Sequence, residues 1–138
     1  MTKKYLDTNL FLNPILYNDK KANKCKEIVS KIALEEIKGI TSALTWGELV
    51  YTINKYFGKE IAIKEGDNFI KFPNLVFVEV DINIISSAQK LISNYNLRPR
   101  DAIHAATALA QNCTEIISDD SDFDNIKEIK RISPEKFK

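Results

Sequence analysis

Short apolar runs alternate along the chain with stretches in which apolar residues recur every three or four positions. Runs typical of buried strands occur at 4–7, 40–42, 75–80, 115–118 and 129–132. Apolar positions at helical spacing lie between them, as in the segment from Ala22 to Ile37, which Gly39 is expected to end. Strands alternating with helices predict an α/β fold in which helices flank a central, mostly parallel sheet.

The segment Leu97–Ala110 combines a helix start with an unusual run of small residues. Pro99 disfavours helical backbone at Arg98, so Asp101 is expected at the N-cap or in the first turn of a helix. The alanine-rich sequence that follows has almost no charge, which predicts a helix buried on most sides. Because aspartate commonly caps helices, a further role for Asp101 requires other carboxylates that can reach it.

Composition narrows the class of protein. A length of 138 residues suits one domain spanning 1–138, and a 44% hydrophobic content is enough for a real core. We find neither a membrane-spanning run nor a signal-like N-terminal segment, so we expect a cytoplasmic protein without a membrane partner. Cys25 and Cys113 stand far apart and are expected to be free thiols. A net charge of +1 provides no strong overall attraction to nucleic acid.

Acidic residues lie where predicted elements begin or end. Asp7 ends the first strand, and Asp119 and Asp120 follow the strand at 115–118. Glu48 lies in the first turns of the helix after the strand at 40–42, and Asp101 opens its own helix. Functional groups in open α/β sheets collect at the carboxyl ends of the strands. We therefore expect these acids, although distant in sequence, to converge at one edge of the sheet.

Converging carboxylates repel one another unless a cation lies between them. Hard divalent cations prefer oxygen ligands, and Mg²⁺ is typically held by a few carboxylates while it bridges to phosphate. Such a site can activate water and stabilise an in-line displacement at a phosphodiester. The four glycines form no phosphate-binding loop, and no competing nucleophile motif is present. The residues therefore indicate metal-dependent phosphodiester hydrolysis.

Four sequence blocks resemble those of the PIN domain family, and most closely its VapC-type toxins. The blocks occur in the family order and together extend over most of the chain, at 5–9, 42–49, 98–108 and 117–123. The resemblance implies a three-layer PIN-like fold and a Mg²⁺- or Mn²⁺-dependent endoribonuclease. It also implies a homodimer that is silenced by a cognate antitoxin, whose C-terminal segment enters the active-site groove.

The resemblance also assigns roles to the acids. It implies that Asp7 and Asp101 are metal ligands, and that Glu48 positions the water that the metal activates. The fourth acid is ambiguous, because the family often has Thr-Asn-Asp-x-Asp-Phe where this chain has Ser118-Asp119-Asp120-Ser121-Asp122-Phe123. We favour Asp120 as the fourth acid, with Asp122 second and as a further metal ligand, and Asp119 as the third candidate.

Several neighbouring side chains are candidates for supporting or substrate-binding roles. Thr8 and Asn9 can hold Asp7 or a phosphate through their donors, and Ser118 can replace the family's threonine as a hydrogen-bonding group. Arg98 and Arg100 are candidates for contacting phosphate or an antitoxin carboxylate, with solvation as the alternative. The single histidine, His104, is expected to be a satisfied core residue rather than a ligand or base.

Three alternatives to a toxin remain at this point. The first is a PIN-domain nuclease that processes RNA without an antitoxin. The second is a non-catalytic binding module of the same fold. The third is a phosphatase with a carboxylate nucleophile, which ranks low because Asp7-Thr8-Asn9 lacks the second acid that such enzymes place two residues further on.

Overall fold

The computed structural model describes residues 3–138 and contains a five-stranded sheet flanked by helices. The strands are β1 (Lys3–Leu6), β2 (Lys38–Ser42), β3 (Leu75–Val78), β4 (Glu115–Ile117) and β5 (Lys130–Ile132). The helices are α1 (Asn9–Leu16), α2 (Lys20–Ala33), α3 (Leu44–Phe57), α4 (Lys59–Ile70), α5 (Ile82–Asn94) and α6 (Pro99–Ala110). Two short 3₁₀ turns span Ser121–Asn125 and Pro134–Lys136.

All paired strands in the sheet are parallel, in the order β3-β2-β1-β4-β5. The chain moves outward from β1 to β2 and β3, then returns to place β4 on the other side of β1. This reversal opens a crevice at the carboxyl ends of β1 and β4, where α/β proteins commonly bind ligands. The predicted fold class, a parallel sheet between layers of helices, is confirmed.

Successive residues of the central strand β1 face opposite layers. Tyr5 packs into a core formed with α5 and α6, whereas Leu6 packs into a core formed with α1 to α4. Both side chains are fully buried, as expected for a strand covered on both faces. Four alanines of α6 (Ala102, Ala105, Ala106 and Ala108) are buried as well. Their small size lets α6 lie close to the sheet and brings its first turn to the crevice.

The prediction that Gly39 ends the second helix is wrong. Helix α2 ends at Ala33, and Gly39 lies inside strand β2. The reason for glycine there is space, because a Cβ at residue 39 would lie only 2.6 Å from the Cδ1 atom of Ile32. Gly58, by contrast, does end α3 and has a φ of +93°, which glycine adopts without strain.

Two further expectations can be compared with the described residues. Cys25 and Cys113 are both free and buried, as predicted. Within residues 3–138, every helix is too short or too polar to cross a lipid bilayer.

Candidate active site

Carboxylates from four segments lie around the crevice. Asp7 directly follows β1, and Glu48 lies in α3, which starts just after β2. Asp101 lies in the first turn of α6, and Asp120 and Asp122 belong to the turn after β4. We refer to these five residues as the acidic cluster. The convergence expected from the sequence is therefore present for Asp7, Glu48, Asp101 and Asp120, whereas Asp119 is not part of it.

Both carboxylate oxygens of Asp7 are held by neighbouring donors. The Thr8 backbone N–H donates to Oδ1 at 2.8 Å, and the Asn9 amide donates to Oδ2 at 3.1 Å. The Ser118 hydroxyl also donates to Oδ2, at 2.6 Å. Asp7 is 5% exposed, so these bonds replace much of its hydration and fix its orientation. The structure thus places Thr8, Asn9 and Ser118 as supports for the carboxylates.

The two carboxylate oxygens of Glu48 differ in their hydrogen bonding. Oε1 accepts a hydrogen bond from the Thr8 hydroxyl at 2.6 Å and lies 2.7 Å from Nε2 of His104. Oε2 is buried without a hydrogen-bond partner. Burial opposes ionisation of Glu48, but the bonds from His104 and Thr8 and the charge of Arg100 hold its pKa below the ordinary value.

Asp101 is the most deeply buried member of the acidic cluster, with 1% of its surface exposed. Burial, followed by repulsion from Asp120 and Asp7, raises its pKa to about 6, against the opposing charges of Arg98 and Arg100. Its Oδ2 atom has no hydrogen-bond partner. Asp101 occupies the first helical turn that the sequence predicted, but its position lacks the donors that satisfy Asp7.

The turn after β4 separates the three aspartates that the sequence left ambiguous. The Asp120 N–H donates to the Ser118 hydroxyl at 2.9 Å, and the Asp122 N–H donates to Oδ1 of Asp120 at 2.9 Å. These bonds hold Asp120 and Asp122 beside Asp101. Asp119 lies outside the acidic cluster, and its carboxylate pairs with Lys21 at 2.9 Å.

The acidic cluster has the ligands that a hard divalent cation requires. Asp101, Asp120 and Asp122 each offer a carboxylate oxygen, and these atoms lie within 4.8 Å of one another. Oδ2 of Asp101 and Oε2 of Glu48 add two buried acceptors that have an arginine nearby but no hydrogen bond. Buried acceptors of this kind are rarely left unsatisfied, and Mg²⁺ and Mn²⁺ take oxygen ligands. The residues therefore fit a divalent cation.

Two arginines lie at the rim of the acidic cluster. The Arg98 guanidinium lies 3.4–3.6 Å from single oxygens of Asp101, Asp120 and Asp122. Nε of Arg100 lies 3.1 Å from Oε2 of Glu48, although not in hydrogen-bonding geometry. Both arginine side chains are more than half exposed. They can therefore reach a ligand in the crevice while partly neutralising the carboxylates.

His104 contacts the acidic cluster from the core, with partners that the sequence did not identify. It is buried and hydrogen-bonded, as expected for a core histidine, but its partners are Glu48 and the Tyr5 hydroxyl, the latter at 2.7 Å from Nδ1. Its position three residues after Asp101, on the same face of α6, brings it to the acidic cluster.

The fold and the site together define an α/β protein with carboxylates gathered at the carboxyl edge of a parallel sheet. The chain belongs to the PIN domain family, whose sequence model matches residues 4–129. No curated protein sequence gives a significant match.

Solved structures with the same fold include components of toxin–antitoxin systems. A toxin–antitoxin complex from Klebsiella pneumoniae aligns with 22% identity and a TM-score of 0.68, covering 95% of this chain and 97% of that one. VapBC2 from Rickettsia felis, bound to a promoter DNA fragment, gives 18% identity, a TM-score of 0.74 and coverages of 96% and 98%. VapC20 from Mycobacterium tuberculosis, described as a toxin that cleaves the sarcin–ricin loop, gives 16% identity and a TM-score of 0.73. That alignment covers 88% of this chain and 92% of VapC20. At these identities the similarity shows the fold alone.

Proposed function

We propose that this protein is a divalent-metal-dependent endoribonuclease and the toxin of a VapBC-type pair. The observation that supports the nuclease is the acidic cluster, in which Asp101, Asp120 and Asp122 offer oxygens within 4.8 Å of one another and two buried oxygens have no hydrogen-bond partner. Membership of the PIN domain family and the similarity in fold to VapC20, the toxin described as cleaving the sarcin–ricin loop, support RNA as the substrate.

Each residue of the site has a role in this mechanism. Asp101, Asp120 and Asp122 would hold one or two cations, with Asp7 as a further ligand. A bound Mg²⁺ or Mn²⁺ supplies Lewis acidity, which makes water a better nucleophile and offsets charge that develops on the phosphate. Glu48 orients the attacking water and accepts a proton at Oε2.

The remaining polar groups bind and orient. Arg98 and Arg100 leave the carboxylates to contact the phosphate oxygens of the substrate, since their long exposed side chains can move while the buried acids cannot. Thr8, Asn9 and Ser118 act through the carboxylates that they hold, and they keep Asp7 and Glu48 in place for the reaction.

Cleavage of a structured RNA, with and without EDTA, tests the nuclease. Wild-type protein should cleave with Mg²⁺ or Mn²⁺ and lose activity on chelation. Asp7→Asn and Asp101→Asn should each reduce the rate by at least about 100-fold without unfolding the protein, because each removes a charged ligand. Asp119→Asn is the matched control, since that carboxylate pairs with Lys21 outside the acidic cluster. Activity that survives EDTA would contradict the proposal.

A cognate antitoxin and a homodimer are part of the same proposal. The support is that the similar structures include toxin–antitoxin complexes and that this chain exposes large apolar side chains on α3 and α4. Those most exposed are Tyr51, Tyr56, Ile63 and Ile70. Co-expression with a candidate antitoxin, sought as a small gene adjacent to this one, should yield a stable complex that no longer cleaves RNA. Light scattering of the isolated chain should give twice the monomer mass, and a monomer would contradict the homodimer.

A further inference from the structure

A buried chain of three side chains runs from the core to the acidic cluster. The Tyr5 hydroxyl lies 2.7 Å from Nδ1 of His104, and Nε2 of His104 lies 2.7 Å from Oε1 of Glu48. Tyr5 is fully buried and His104 is 1% exposed, so water does not compete for these contacts. Tyr5 belongs to β1 and His104 to α6, and neither residue is needed as a metal ligand.

The partners of His104 determine where its protons lie. Glu48 is an ionised carboxylate at neutral pH, with the Thr8 hydroxyl donating to Oε1 and the Arg100 guanidinium beside Oε2, and so Oε1 has no hydrogen to donate. The short contact between Nε2 and Oε1 therefore requires a hydrogen on Nε2. In the neutral imidazole Nδ1 is then an acceptor, and the Tyr5 hydroxyl can donate to it. In the imidazolium both nitrogens are donors, and Nε2 still donates to Glu48.

This arrangement fixes the orientation of the Glu48 carboxylate. Oε1 accepts from both Thr8 and His104, whereas Oε2 has no hydrogen-bond partner. With Oε1 held by two donors, rotation of the carboxylate would break two short bonds in a buried site, where unmade bonds are costly. Oε2 is thereby kept without a hydrogen bond on the side of Arg100, where it is available for the chemistry.

We propose that His104, held by Tyr5, is a positioning residue that keeps Oε2 of Glu48 available to the reacting water. The proposal depends on the nuclease function, because it gives Glu48 a role at the phosphodiester. Tyr5 lies in β1, two residues before Asp7, and His104 lies in α6, one turn after Asp101, so the position of Glu48 is set relative to both acids.

Cleavage kinetics of His104 variants test the proposal. His104→Gln retains an amide nitrogen near the position of Nε2, so this variant should keep most of the wild-type kcat. His104→Asn retains a donor only near the position of Nδ1, so its kcat should fall. We expect kcat to fall about 10- to 100-fold in His104→Asn, with KM for RNA changed by less than about threefold, as for other supports of metal-site groups. Tyr5→Phe removes only the hydroxyl and should produce a smaller fall in the same direction.

Two controls separate positioning from folding and from metal binding. Thr107→Val removes a buried hydroxyl one turn further along α6. This hydroxyl donates to the Ile103 carbonyl at 2.7 Å and not to a residue of the acidic cluster. The variant should lower the melting temperature without lowering kcat. Mn²⁺ affinity, measured by electron paramagnetic resonance, should stay within about threefold in the His104 and Tyr5 variants and be lost in Asp101→Asn.

Because His104 is the chain's single histidine, its imidazole nitrogens can be observed directly by ¹⁵N NMR. We expect a slowly exchanging proton on Nε2 in the metal-free protein and a shifted Nδ1 resonance in Tyr5→Phe. The His104 proposal is overturned if Nε2 carries no proton, or if both His104 variants have the same kcat as Thr107→Val. Either result leaves the proposed nuclease function unaffected. Wild-type protein without chelator-sensitive cleavage overturns the nuclease and this inference together.

Discussion

Replacing Asp101 by asparagine should stabilise the metal-free protein at neutral and alkaline pH. Its side chain is 1% exposed, and burial together with repulsion from Asp120 and Asp7 raises its pKa to about 6, in spite of Arg98 and Arg100. Asparagine is nearly the same size and carries no charge. The substitution therefore removes an unfavourable ionisation without leaving a cavity.

The magnitude follows from the difference between the folded and unfolded pKa values. Unfolded Asp101 loses its proton near pH 4, with an ordinary pKa of 3.8, whereas the folded protein retains the proton to about pH 6. Between these values the folded state binds more protons, so the Asp101 contribution to the free energy of unfolding falls as pH rises. The whole loss is about 3 kcal/mol, at about 1.4 kcal/mol for each pH unit.

The stabilisation by Asp101→Asn should therefore be near zero at about pH 4 and reach at most about 3 kcal/mol above pH 7. For a chain of this size that limit corresponds to a rise in Tm of about 10 °C. Urea unfolding of wild-type and variant proteins in EDTA, across this pH range, measures the difference directly. Asp119→Asn serves as the control, because that carboxylate lies outside the acidic cluster, and its difference from wild type should not grow with pH.

Added Mg²⁺ should reverse the order of stabilities. It should stabilise wild-type protein, which has all its carboxylates, more than Asp101→Asn, since a ligand that binds only the folded state raises the free energy of unfolding. If Asp101→Asn is less stable than wild type in EDTA at high pH, then crowding of the carboxylates costs the fold nothing. The physical argument for a cation at this site would then be refuted.

The remaining predictions concern single side chains. Arg98→Ala should raise Mn²⁺ affinity by about 3- to 10-fold in calorimetry at low salt, because the guanidinium contacts the same three carboxylates; an unchanged or weaker affinity would contradict this competition. Asp120→Asn should reduce Mn²⁺ affinity at least about 10-fold, whereas Asp119→Asn should change it less than about twofold, and equal effects would contradict the assignment of Asp120. Gly39→Ala should lower the free energy of unfolding by about 1–3 kcal/mol in urea, since the new Cβ clashes with Ile32, and an equally stable variant would show that Ile32 gives way.

The sequence alone was sufficient for the fold class and for the general place of the site. Strand-like and helix-like periodicities alternate clearly enough to predict a parallel sheet, and side chains at carboxyl strand ends must share an edge. The end of α2 was predicted wrongly, because glycine was taken as a helix terminator. Glycine is required at position 39 by a tertiary contact, because the Ile32 side chain fills the space that a Cβ would occupy. The periodicity of the sequence carries no information about that contact.

Contacts within the site were harder to predict than its location. The role of Asp119 depends on Lys21, a residue 98 positions away that removes this carboxylate from the acidic cluster. The placement of His104 depends on Tyr5 and Glu48, which are 99 and 56 positions away. Helical spacing relates His104 to Asp101 alone. Side-chain contacts between different helices and strands depend on how those elements pack. The pattern of a single sequence does not specify that packing in enough detail to predict the contacts.

The distribution of donors divides the acidic cluster into two parts with different chemistry. The chain's own N–H and O–H groups satisfy Asp7 and one oxygen of Glu48, and they favour ionisation of Glu48. Asp101 has no such donors, and its pKa is raised instead. In the proposed mechanism a cation is therefore needed most beside Asp101, Asp120 and Asp122. Glu48, whose ionised form the protein itself stabilises before any metal binds, stays an unprotonated carboxylate that can orient the water.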